Sequence, residues 1–159
     1  MRSKFHLAGA LKASVIAAIV FLMAEMAMVA LIEGQSPFGP PRMMAAIVMG
    51  RDVLPPPATF DLAIMMVAMM VHLGLSMVLG IVWGLVHSAL GLSKWVAVGV
   101  AAVFGLLLYV VNFYGFTALF PWFEMARGTV SAVGHAIFGI ALAWAYSGYV
   151  RDSGENVAG

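Results

Sequence analysis

From Leu62 to Ser88 the chain runs for 27 residues without an Asp, Glu, Lys or Arg. Few environments tolerate that. At a rise of ~1.5 Å per residue, a helix of this length crosses the ~30 Å hydrocarbon core of a bilayer. Lipid offers no water to backbone N–H and C=O groups, so such a stretch must satisfy them internally as a helix. The stretch also carries His72, Ser76, Gly80, Gly84 and Ser88 at a spacing of four. Residues four apart share a helix face, so these form a ridge of small side chains headed by an imidazole. Small residues at that spacing let another helix, or a flat ligand, approach the backbone.

Three further segments obey the same constraint. Residues 13–32 are apolar apart from Glu25, residues 95–119 have Asn112 as their strongly polar member, and residues 129–149 follow Thr129 as a candidate cap. Of the 159 residues 64% are hydrophobic and 9% charged, where a soluble domain carries about a quarter charged. The expectation is an all-α, four-helix transmembrane bundle forming one polytopic domain over residues 1–159, with no room for a separate soluble unit. A net charge of +1 without a basic run argues against a nucleic-acid partner, and the absence of cysteine removes disulfides, thiolate ligands and iron–sulfur sites. No glycine-rich phosphate loop or nucleophile triad is present, so a conventional hydrolase, kinase or nucleotide-binding enzyme is not expected.

The connections add detail. Arg2, Lys4 and Lys12 make a basic, flexible start, and the apolar run after them is read as a retained span rather than a cleaved leader. In the long connection from Glu33 to Asp61, residues 41–50 are a short apolar piece bounded by Pro41 and Gly50. Too short to span, it is expected at the interface or folded over the bundle as a lid. Pro55, Pro56 and Pro57 extend the approach to the second span, with Thr59 or Asp61 as its cap. The turn from Ala89 to Lys94, containing Gly91, predicts antiparallel packing of spans two and three. Residues 151–159 are expected to be a disordered tail. Five Lys and Arg on the side of the termini against three opposite predict both termini in the cytoplasm of a bacterial inner membrane. Trp83, Trp95, Trp144, Tyr146 and Tyr149 should then mark the inner interface, and Trp122 the outer one.

Counted from the inner ends, Glu25, His72, Tyr109, Asn112 and His135 fall within a band of about 8 Å. Ionisable groups at such depth face the bundle interior by default. Ser131, His135, Gly139 and Ala143 repeat the four-spaced ridge of the second span. Three readings stay open. The polar layer can be structural, its members fixing helix register through hydrogen bonds. It can handle protons, through Glu25 with His72 and His135. Or His72 and His135 can hold haem b, or a metal ion with Glu25 as third ligand. His87 is expected to snorkel to the inner interface and His6 to be solvated. The 13 methionines suit adaptable packing better than a copper route.

The segments Val111-Asn112-Phe113-Tyr114 and Leu119-Phe120-Pro121-Trp122-Phe123, with Pro41-Arg42-Met43, Val53-Leu54-Pro55-Pro56 and His135-x-x-Phe138-Gly139, resemble those of a family of small four-helix bacterial integral membrane proteins. The resemblance covers nearly the whole chain. It implies the fold but no activity; members are sometimes labelled sodium/proline symporters, a transporter fold for which four helices are too few. Besides the lipid bilayer, the expected partners are other membrane subunits or further copies of the chain. The expected role is a non-catalytic accessory or assembly subunit of a larger membrane complex, respiratory or photosynthetic, whose small-residue ridges Ser76, Gly80, Gly84, Ser88, Gly139 and Ala143 serve helix packing. The alternatives are a proton-coupled channel or carrier and a cofactor-bearing redox protein.

Overall fold

A computed structural model describes residues 5–155, with side chains through residue 150. Its order is α1 (Leu7–Leu31), α2 (Gly39–Met49), α3 (Leu62–Leu90), α4 (Lys94–Val110) and α5 (Thr129–Glu155), with short turns of tighter or wider helix between α4 and α5. Four helices are long and apolar enough to cross a membrane, over Leu7–Leu31, Leu62–Leu90, Lys94–Ala118 and Thr129–Val150. The expected all-α four-helix architecture is the one observed, that of a multi-pass membrane protein.

Local chemistry sets the ends. Asp61 is in extended conformation and its Oδ1 accepts from the Ile64 N–H at 3.0 Å, so it caps α3. Gly91 ends α3 in the left-handed region (φ 59°), which a glycine adopts without a Cβ clash. Pro40 and Pro41 lie in the first turn of α2, where a missing N–H costs nothing.

Several boundaries differ from expectation. α1 starts at Leu7 rather than residue 13, because His6 caps it: its Nδ1 accepts from the Gly9 N–H at 2.8 Å. The His6 backbone N–H donates to the Tyr146 hydroxyl at 3.1 Å, so this histidine is a bundle contact rather than a solvated one. Arg2 and Lys4 of the basic start lie outside the described residues. α5 continues to Glu155 instead of stopping near Tyr149, so the first part of the expected tail is helical and residues 156–159 lie outside the described ones.

Glycine decides which helices touch. A Cβ at Gly139 would collide with the carbonyl of Ala101, and one at Gly105 with the carbonyl of His135, so α4 and α5 pack backbone against backbone. A Cβ at Gly80 would strike Ser14 and lie 3.0 Å from the Ala10 oxygen, which brings α3 onto α1. α1 also packs along α5 through an alanine face, with Ala10, Ala13 and Ala17 in the fully buried core. Both four-spaced ridges turn inward as expected, but they are filled from within the chain. Contrary to expectation, α3 and α4 do not pack closely despite their short turn. They meet through side chains, with the Trp83 and Phe104 rings 5.7 Å apart. Two bulky aromatics hold that pair apart while glycine draws the other pairs together.

The same bulk corrects the aromatic belt. Trp83 and Tyr146 are completely buried core residues rather than interfacial ones. His87 is buried too, its ring 5.2 Å from Tyr146 and 6.4 Å from Trp83, instead of snorkelling. Trp122 is buried as well: its Nε1–H donates to the Met43 carbonyl at 3.0 Å and holds α2 to the loop before α5. Ala45 of α2 packs on Ile64 and Ala68 of α3. Arg42 ties α2 to its own return path through the carbonyls of Val53 (2.8 Å) and Thr59 (3.0 Å). The short helix thus bridges α3 and the α4–α5 loop at the end opposite the termini, hereafter the loop face.

Cysteine substituted at Ala45 should be shielded from a water-soluble maleimide and cysteine at Gln35 labelled rapidly; equal labelling of both contradicts this packing. Gly139→Ala, whose new methyl meets backbone, should lower stability by roughly 1–3 kcal/mol. Gly74→Ala, in open space on α3, should be neutral or stabilising by up to ~1 kcal/mol in the same denaturation experiment.

Candidate functional site

Glu25 lies on the inward face of α1, buried against α5. The Ser131 hydroxyl donates to its Oε1 at 2.7 Å. Its Oε2 is buried with no hydrogen-bond partner. The space is cleared by Gly134, where a Cβ would run into that same Oε2. The carboxyl group therefore has one tethered oxygen and one that is held in place but unsatisfied.

Ser131 works with two different atoms. While its hydroxyl holds Glu25, its backbone carbonyl accepts from His135 Nδ1–H at 2.8 Å, one helical turn along α5. A carbonyl only accepts, so Nδ1 carries the hydrogen. His135 Nε2 then presents its lone pair to Asn112, whose Nδ2–H donates at 3.1 Å. Glu25, Ser131, His135 and Asn112 make one chain of contacts across α1, α5 and α4.

Asn112 reaches His135 from a local irregularity. After Val110 the helix widens into a π turn, Val111–Gly115, followed by a tighter turn, Phe116–Ala118. A widened turn frees backbone carbonyls, and Arg127 from the following loop takes one of them. Its Nε donates to the Phe113 carbonyl at 2.6 Å and its Nη2 to Thr117 Oγ1 at 3.1 Å. The guanidinium also lies 4.5 Å from the centre of the Tyr114 ring and pairs with Glu124 at 3.3 Å. Arg127 braces the turn that presents Asn112.

The other expected members stand apart. His72 Nε2–H donates to the Ala18 carbonyl at 3.0 Å, pinning α3 to α1. The Phe21 ring lies between the two imidazoles, 5.3 Å from His72 and 5.0 Å from His135, centre to centre. As they stand, the histidines do not face each other across an open space, and the glycine ridges beside them are occupied by neighbouring helices. Among the described residues no group of three or more His, Cys, Asp or Glu is placed to hold a metal ion. The Tyr109 ring lies 6.0 Å from His135, but its hydroxyl accepts from the Gly128 N–H at 3.1 Å, toward the loop face. Ser76, Gly80, Gly84, Gly139 and Ala143 are all buried inside the bundle and Ser88 partly so.

Sequence reasoning placed Ser131 in the ridge but missed it as the link between Glu25 and His135. It also missed Gly134, Phe21 and Arg127. The available signal was the run Ser131-x-x-Gly134-His135, which puts a hydroxyl one turn before the imidazole and an open position beside it. Comparison with protein-family models, with curated proteins and with solved structures returned no match.

Arg127→Gln should release the π turn: the imidazole ¹⁵N signals of His135 should shift as the Asn112 contact loosens, while those of His72 stay unchanged. His72→Ala should cost roughly 0.6–2 kcal/mol, the range for one interhelical hydrogen bond in a membrane, as measured by denaturant titration in micelles.

Proposed function

We propose that this membrane protein handles protons, with Glu25 as the exchanging group. The observation that carries the reading is the buried carboxyl group with Oε1 on Ser131 and Oε2 without a partner. A carboxylate is costly to bury in a bilayer, and a proton on the unpartnered oxygen removes the charge without disturbing the Ser131 contact. Ser131 aims the group. His135 spends Nδ1–H on a backbone carbonyl and Nε2 on Asn112, so its part is to brace Ser131 rather than to relay. His72 is likewise engaged with Ala18.

Depth favours exchange with the loop face. Glu25 is six residues from the end of α1 at Leu31, about 9 Å at the helical rise. Toward the termini lies a buried apolar core of Ala10, Ala13, Ala17, Phe138 and Leu142. Crossing the whole membrane therefore requires rearrangement of α1 against α5, as in a carrier, rather than a standing pore. The accessory-subunit reading drew on the small-residue ridges, and those are buried within the chain; it retains only the lipid-facing surfaces for a partner helix. The family resemblance supplies no activity to set against either reading.

The test is proton flux in proteoliposomes carrying a trapped pH dye. Wild-type protein should dissipate an imposed gradient, and Glu25→Gln, whose amide oxygen still accepts from Ser131, should fall to the rate of protein-free vesicles. Equal flux in the two, or no flux above empty vesicles in the wild type, overturns the proposal. Recovery of a stoichiometric partner in mild detergent, together with no flux, would favour the subunit reading.

A further inference from the structure

The face that carries the termini holds a second arrangement, independent of Glu25. Lys94 opens α4 at the end of the tight turn from α3. Its ammonium sits between two indoles, 5.6 Å from the Trp95 ring centre and 5.4 Å from that of Trp144 on α5. Both rings remain open to the surroundings, with Trp95 76% and Trp144 57% exposed. Lys12 repeats the theme on the other flank of α5, lying 5.8 Å from the Tyr149 ring centre.

Among residues 5–150, whose side chains are described, the carboxylates other than buried Glu25 are Glu33, Asp52, Asp61 and Glu124, and all lie in the connections of the loop face, while Asp152 and Glu155 follow in the last turns of α5. Lys12 and Lys94 are the charges at the terminal face among residues 5–150, and within those residues neither has a carboxylate within salt-bridge distance. A lysine side chain is long and freely rotating, so holding it against rings normally costs rotamer entropy. Two indoles recover part of that through cation–π attraction and leave the outer hemisphere of the ammonium for an anion. Tryptophan rings settle at the headgroup level of a bilayer, with their apolar edges among the upper acyl carbons. The ammonium is therefore held where a phospholipid phosphate lies.

We propose that Lys94, with Trp95 and Trp144, binds the phosphate of an anionic phospholipid in the leaflet at the terminal face. The ammonium pairs with the phosphate, and the exposed indoles pack against the glycerol and the first methylenes. A zwitterionic lipid presents the same phosphate but brings its own cation, which competes with Lys94, so selectivity for net negative headgroups follows from charge.

The test uses the full chain in nanodiscs of equal parts phosphatidylglycerol and phosphatidylcholine, with retained lipid counted by native mass spectrometry after transfer to detergent. Wild-type protein should retain phosphatidylglycerol in preference. Lys94→Gln should lose that preference, Lys94→Arg should keep it, and Trp144→Ala should weaken it while Trp144→Phe does so less. Helical content by circular dichroism should match across the set, since Trp144 is exposed and Lys94 is the half-buried first residue of α4. Equal retention of the two lipids by wild-type protein, or an undiminished preference in Lys94→Gln, overturns the proposal. Release of the bound phosphatidylglycerol by inorganic phosphate alone would also overturn it, because the site would then recognise the free anion.

Discussion

Two helices meeting with nothing but backbone between them is the contact on which the rest of this bundle depends. Gly105 lies on the carbonyl of His135 and Gly139 on the carbonyl of Ala101. In lipid the hydrophobic effect does not drive helices together, so close packing, dispersion and local polar contacts must do so. Removing both Cβ atoms at this crossing fixes the height of α5 against α4. That height in turn lets the His135 imidazole reach Asn112, two turns beyond Gly105 on the same helix. The polar contact is thus a consequence of the apolar one.

α1 is the other half of that logic. Its alanine face slides between α3 and α5, and each neighbour is secured by a different polar residue: His72 from α3 to the Ala18 carbonyl, and Ser131 from α5 to Glu25. Phe21 fills the space between the two attachments and touches both imidazoles. A single helix therefore keeps the two histidines in separate settings. They share a depth in the membrane without sharing a task.

The four spans, their small-residue ridges and the inward direction of Glu25, His72 and His135 were legible in the sequence. A charge-free run of sufficient length has one stable form in lipid, and four-spaced small residues have one face. Pairing was not legible. A short turn suggested that α3 and α4 would pack, yet the volumes of Trp83 and Phe104 keep them apart. Trp83, Tyr146 and His87 looked interfacial by their distance from helix ends, and each proved buried: Trp83 packs against Phe104, His87 against Tyr146, and the turn before α1 reaches Tyr146 through the His6 N–H. Ser131 was visible only as a small residue, since a hydroxyl's partner depends on which helix lies opposite. The π turn had no sequence period to announce it.

That widened turn has a consequence for how the chain tolerates change in length. Val111–Gly115 takes up more residues per turn than the helix beneath it, so the chain beyond Gly115 is rotated by about 100° per extra residue relative to an unbroken α-helix. Thr117, turned inward to meet Arg127, and Trp122, turned toward Met43, both lie beyond the offset. The interval from Gly105 to Trp122 therefore behaves like a vernier: its residue count sets both the angle at which Asn112 reaches His135 and the seat on which α2 rests. The proline-bound interval from Gly50 to Phe60 keeps no helical phase, only the carbonyls of Val53 and Thr59 that Arg42 holds. Natural variation in length should thus accumulate in the first loop and be purged from the second.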